Sequence, residues 1–196
     1  DRIVVIPNGC TDRTAEIARS YIEQRLPLTI MELPKLDHKK SEALNRGWDK
    51  YGRDKDIVIC LDADTILPPH AVADWEKEMT ATDVLGGSSS KFTMLGSNFW
   101  TRLQRSEFAK WTDTALHRGY TTVLAGTGCA INGRALREVV DSTGREGPWS
   151  YDSQVEDFEL TYRIRELGYK CQVSPTVRAY TDSMKNLRAL WGQRMK

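Results

Sequence analysis

Two pairs of carboxylates stand where side chains could do chemistry. The first closes an apolar run, Ile57-Val58-Ile59-Cys60-Leu61-Asp62-Ala63-Asp64-Thr65. Five apolar residues in succession read as a strand buried on both faces of a parallel sheet. Successive side chains alternate along a strand, so Asp62 and Asp64 are expected to point the same way. Open α/β sheets take ligands at the carboxyl ends of their strands. Two hard oxygen donors there could hold Mg²⁺ or Mn²⁺ against the phosphates of a nucleotide. Two solvated aspartates in a turn ahead of Pro68-Pro69 would leave the same pattern.

The second pair is Glu156-Asp157, within Val155-Glu156-Asp157-Phe158-Glu159-Leu160 at the start of an expected helix. Unpaired amides and the macrodipole stabilise acids in that position, which is sufficient reason for Glu156 and Glu159. Asp157 remains a candidate general base, since a carboxylate in a cleft can take a proton from a hydroxyl within hydrogen-bonding reach. Two polar clusters accompany these acids. Asn8-Gly9-Cys10-Thr11-Asp12-Arg13-Thr14 joins a strand to a helix and could touch a base or ribose, although turn-and-cap chemistry explains Thr11, Asp12 and Thr14 better. Gln193-Arg194, with Arg188 and Lys196, lies in a basic terminal helix that could meet a departing pyrophosphate or be a solvated face.

The elements that must position these residues alternate. Ile3-Val4-Val5-Ile6 reads as a strand ending in the turn Pro7-Asn8-Gly9. Ile17, Ala18, Tyr21 and Ile22 give the following helix its apolar stripe. A strand over 28–33 comes next, then an amphipathic helix over 39–51 with Ala43, Leu44, Gly47, Trp48 and Tyr51 on one face. A helix from Pro69 follows the Asp62/Asp64 strand, with Ala71, Val72, Trp75 and Met79 apolar. Val84-Leu85-Gly86-Gly87 is a strand leading into a Ser/Gly loop. Residues 98–116 carry core aromatics at helical spacing, and the apolar stretch 123–131 is broken by Gly126-Thr127-Gly128. A helix over 157–167 stops at Gly168, 173–181 is extended, and 186–196 is helical. This alternation predicts an α/β architecture with a mainly parallel sheet.

Composition sets the bounds. A chain of 196 residues suits one domain spanning 1–196, and 40% hydrophobic with 28% charged residues is ordinary for a globular protein. Net charge of +1 gives no electrostatic case for nucleic acid or an anionic membrane. Cys10, Cys60, Cys129 and Cys171 form no CxxC pair, and three sit beside apolar residues, as buried thiols in a reducing cytosol would. No apolar stretch approaches the ~20 residues of a membrane span, and no signal peptide is recognisable.

Taken in order, these motifs resemble the family 2 glycosyltransferases of the GT-A fold, notably the cellulose, chitin, hyaluronan and poly-N-acetylglucosamine synthase branch. The matching residues are Asn8 to Thr14 (like D-G-S-T-D-x-T), Lys40-Ser41-Glu42-Ala43-Leu44-Asn45-Arg46-Gly47 (like K-x-x-A-L-N-x-G), Asp62-Ala63-Asp64, Leu124-Ala125-Gly126-Thr127-Gly128, Glu156-Asp157-Phe158-Glu159-Leu160 and Gln193-Arg194. The resemblance implies a three-layer α/β/α sandwich and an inverting hexosyl- or N-acetylhexosaminyl-transferase. Its donor would be a nucleotide sugar, UDP-linked by analogy, its acceptor a hydroxyl, and its cofactor Mn²⁺ or Mg²⁺. Asp64 would ligate the metal, and Asp62 would support the metal shell, ribose or diphosphate. Asn8 and Lys40 would lie at the nucleotide, and Gly126, Thr127 and Gly128 on the acceptor side. Asp157, beside Glu156, would be the base, and Gln193 and Arg194 would close over the diphosphate. The implied location is the cytoplasm or the cytoplasmic face of a membrane.

Three departures stand out. The family's first strand is missing, so the chain opens at what resembles the second. Pro7-Asn8 replaces a common Asp-Asp pair. The terminal Q-x-x-R-W pattern is incomplete, with Lys196 in the arginine position, so processive polymerisation is unsupported. Two other functions fit some of these features: a nucleotidyltransferase on a similar sheet, which usually needs a glycine-rich basic loop, and a non-catalytic nucleotide-sugar-binding remnant.

Overall fold

The computed structural model describes residues 2–23 and 26–195, so Lys196 lies outside the described residues. In chain order the elements are β1 (Ile3–Val5), α1 (Thr14–Glu23), β2 (Leu28–Ile30), α2 (Lys39–Gly47), β3 (Ile57–Cys60), α3 (Ala71–Thr80), β4 (Leu85–Met94), α4 (Phe99–Arg118), β5 (Cys129–Asn132), α5 (Gly133–Thr143), α6 (Glu156–Glu166), β6 (Lys170–Thr181) and α7 (Leu187–Arg194). A π turn over Trp48–Gly52 continues α2. β1 and β2 pair in parallel as one small sheet, and β3-β5-β4-β6 form a second. In the larger sheet β3, β4 and β6 run one way, and β5 runs against its neighbours β3 and β4.

Helices cover both faces of the larger sheet. Side chains alternate along β5. Cys129 and Ile131 pack with Trp48 of the π turn, Leu136 and Val139 of α5, and Leu160 and Ile164 of α6. Ala130, between them, packs on the opposite face with Trp75 and Met79 of α3. α4 lays Phe108 and Trp111 against Phe92 and Met94. The result is the expected α/β/α sandwich. A close approach fixes the start of α5: a Cβ on Gly133 would lie 1.8 Å from the Lys55 carbonyl oxygen, so only glycine fits.

Several local expectations are corrected. β3 is half-buried at all four positions and, among the described residues, pairs only with β5. An edge strand leaves one side uncovered, so the run is not buried on both faces. Ser88, Ser89 and Ser90 are no loop but fully buried positions of the ten-residue β4. The Ser88 hydroxyl is satisfied by Glu78 at 2.5 Å, which lets a polar strand run through the core. The unforeseen α5 is capped by Asn132, whose Oδ1 accepts from the amides of Arg134 and Ala135. On α1 the stripe residues Ile17, Tyr21 and Ile22 are exposed, as is Val72 on α3.

Candidate active site

The site begins at the entry to α2. Asn8, in the turn after β1, accepts from the Leu36 amide at 3.2 Å and donates from Nδ2 to the Lys39 carbonyl at 3.0 Å. Its amide therefore holds the approach to α2. Lys39 sits at φ 46°, a left-handed backbone strained for any residue with a Cβ. The next residue, Lys40, brings Nζ to 2.6 Å from Asp62 and 3.5 Å from Glu156. Burial alone would push its ammonium down, but the Asp62 hydrogen bond and the charges of Asp62 and Glu156 hold it above its ordinary value. Room for that reach comes from Gly126, where a Cβ would lie 2.8 Å from Nζ.

Asp157 occupies the first turn of α6. Its Oδ1 accepts from the Phe158 amide at 2.8 Å and its Oδ2 from the Gly126 amide at 3.4 Å. Burial, then the charge of Glu156, raises its carboxyl above the ordinary value, against those two amides and Lys40. One turn on, the buried Thr161 hydroxyl donates to the Asp157 carbonyl at 2.6 Å and accepts from the Leu124 amide at 2.8 Å. From below, the Ser89 hydroxyl accepts from the Ala125 amide at 3.3 Å, and the Ser90 amide donates to the Gly128 carbonyl at 2.8 Å. The loop 124–128 is thus tied to both β4 and α6. Glu159 anchors the outer side of α6 through Arg145 at 2.7 Å and Arg163 at 3.0 Å. Lys40, Cys60, Gly126, Cys129, Glu156 and Asp157 all line one open cavity of about 30 Å³.

The two aspartates after β3 do not share an orientation through strand alternation. The strand stops at Cys60, and the Thr65 amide donates to the Asp62 carbonyl at 3.0 Å, closing a turn. Asp62 meets Lys40, whereas Asp64 accepts from Thr181 at 3.3 Å and Thr65 at 3.4 Å and is otherwise exposed. Among the described residues, no group of three or more His, Cys, Asp or Glu side chains could hold a metal ion. Asp62 and Asp64 carry oxygen donors of the kind a hard dication takes together with phosphate and water oxygens.

The fold therefore gathers Lys40, Asp62, Gly126, Glu156 and Asp157, with Thr127 and Gly128 on the same loop and Asp64 in the adjoining turn. Asn8 supports the group from behind. Arg194 pairs with Glu107 on α4 and lies over the Phe108 ring at 5.5 Å, so the Gln193-Arg194 end of α7 rests on α4. Thr161, Ser89 and Thr181 were missed from sequence. Thr161 was within reach, standing four residues after Asp157 on the same helical face. Ser89 and Thr181 carry no local signal, because strand pairing alone brings them to the site. Cys60 and Cys129 stand directly opposite each other on β3 and β5. The Cys129 thiol is pushed well up by its hydrogen bond to Cys60 and by burial.

A sandwich with a carboxylate-lined cavity at the strand ends of a mostly one-way sheet is the GT-A arrangement, and solved structures agree. A mannosyltransferase from Pyrobaculum calidifontis, determined with GDP-Man and Mn²⁺, superposes with a TM-score of 0.69 at 23% identity over 99% of this chain and 51% of its own. GalNAc-T7, determined with UDP, GalNAc and Mn²⁺, gives 0.65 at 16% identity over 93% of this chain and 38% of its own. The profile described as Glycosyl transferase family group 2 matches residues 57–196, and the chain belongs to that family. Poly-beta-1,6-N-acetyl-D-glucosamine synthase of Staphylococcus aureus (strain COL) is 26% identical over 200 residues, 99% of this chain and 46% of the relative. A probable glycosyltransferase, YdaM, of Bacillus subtilis (strain 168) is 25% identical over 210 residues, with the same coverage. The chain spans about half the length of these curated relatives. Among the described residues no helix is long and apolar enough to cross a membrane.

Proposed function

We propose that this chain transfers a sugar from a nucleotide-sugar donor, UDP-linked, to a hydroxyl acceptor with inversion at the anomeric carbon. The observation that carries the proposal is the cavity itself. Asp157 faces it from α6 and Lys40 from α2, and Asp62, in the turn after β3, pairs with that Lys40 ammonium. In this reading the acceptor lies along 126–128 and its hydroxyl meets Asp157. Asp157 removes the proton as the oxygen attacks the sugar from the side opposite the diphosphate. Lys40 exchanges its carboxylate partners for diphosphate oxygens, as a point charge suited to phosphate. Glu156 keeps Lys40 oriented before the donor arrives. Asn8 acts through the backbone of Lys39, so it positions Lys40. Asp64, with Asp62, would hold Mn²⁺ or Mg²⁺, which supplies Lewis-acid stabilisation of the leaving diphosphate. Gln193 and Arg194 reach the diphosphate only if α7 leaves Glu107.

The family match favours sugar transfer over nucleotidyl transfer. Asp157→Asn is the test. It should lower transfer by about 10²–10⁴-fold, the range for a lost general base, while a nucleotide diphosphate titrated by calorimetry binds as before. Normal turnover in that variant would remove Asp157 from the role.

A further inference from the structure

We propose that Cys60 and Cys129 are a modification site: a cross-strand dithiol that hydrogen peroxide closes to a disulfide in the folded protein, fixing the gap between the turn carrying Asp62 and the loop carrying Gly126. The two residues are register partners in the antiparallel β3–β5 ladder. Opposed residues in such a ladder point to the same face, with Cα and Cβ separations of about 4.5–5.5 Å. A disulfide spans Cα atoms about 4.4–6.8 Å apart and Cβ atoms about 3.5–4.5 Å apart, so closure asks for a shift of about 1 Å. β3 can make that shift, since it is an edge strand with β5 as its only strand partner among the described residues.

Placement gives the bond a consequence. Cys60 ends β3 two residues before Asp62, and Cys129 begins β5 immediately after Gly128. A bond between them staples the roots of both segments. Half-buried Cys60 lines the open cavity and is the thiol that a small oxidant meets first, with buried Cys129 behind it. The Cys60 sulfur attacks one peroxide oxygen, the O–O bond breaks, and sulfenic acid and one water result. The Cys129 sulfur then attacks the sulfenic sulfur and expels its oxygen as a second water. Two thiols are oxidised and one peroxide is reduced to two waters.

That the stapled segments serve donor and acceptor rests on the function proposed above. The test reads neither transfer nor nucleotide binding, so its outcome is separate from that function. Folded protein is treated with dilute hydrogen peroxide, alkylated and peptide-mapped. The expected product has lost two hydrogens, links the Cys60 and Cys129 peptides, and reverts with a phosphine reductant. Amide exchange over 61–65 and 124–128 slows in the linked form. Cys129→Ser should stop at a Cys60 sulfenic acid trapped by dimedone. Links to Cys10 or Cys171, a link formed only after unfolding in urea, or a Cys60 sulfinic acid beside a free Cys129 thiol would overturn the site. A correct link with unchanged loop exchange would overturn its effect on the gap.

Discussion

Lys40 and Asp157 hold opposite charges in one cavity, and each is shifted in the direction its surroundings dictate. Asp157 sits above the ordinary 3.8, because burial and Glu156 outweigh the two amides that bind it. The base works ionised, so transfer should fall with acidification at a midpoint above the ordinary 3.8. The sign for stability is opposite. Ionising a carboxyl raised by folding opposes the fold, so the Asp157 contribution is fully present below 3.8 and declines as pH rises through the folded value. Asp157→Asn should remove that slope from stability measured against pH. Lys40 is held above 10.5, so its favourable pairing persists across neutral pH and is lost only as pH rises through that folded value. Lys40→Met should weaken nucleotide diphosphate binding by about ten- to a hundredfold, the worth of a charge-assisted hydrogen bond. Equal affinity in calorimetry would place the diphosphate elsewhere.

Elements differ in how openly the sequence declares them. α6 was legible because its acids, its apolar positions and Gly168 agree at every level. β3 was legible as a strand, yet its edge position was not, since burial depends on which strand pairs beside it. Past Gly87, β4 reads as a loop because three serines look solvated in sequence; in the fold Glu78 takes the Ser88 hydroxyl, the Ala125 amide donates to that of Ser89, and the buried Ser90 hydroxyl has no partner among the described residues. Site residues followed the same division: Lys40, Asp62 and Asp157 lie in recognisable local motifs, whereas Ser89 and Thr181 enter through sheet pairing. Asn45 shows what such distant pairing is worth. Buried in α2, it donates to the Trp149 carbonyl at 2.7 Å and accepts from the Trp149 amide at 2.9 Å. Asn45→Ala would orphan both backbone groups and should cost about 2–4 kcal/mol in urea unfolding. A loss below half a kcal/mol would mean that water replaces the amide.

At the scale of the molecule, the cavity is small and the net charge is near zero, so specific ligands rather than bulk electrostatics should govern its behaviour. Uridine diphosphate with Mn²⁺ at a hundred times its dissociation constant should add about 2.7 kcal/mol to folded-state stability. For a chain of this size that is about 5–10 °C in midpoint, and no shift with any nucleoside diphosphate would count against the donor site. The two separate sheets carry another consequence. β1 and β2 share three paired positions, and α1 above them leaves Ile17, Tyr21 and Ile22 uncovered. A segment so lightly fastened should melt before the rest. All six tryptophans lie at position 48 or later, so indole emission is blind to the first thirty residues. Far-ultraviolet dichroism is not, and in guanidinium it should begin to fall while the fluorescence trace is still flat.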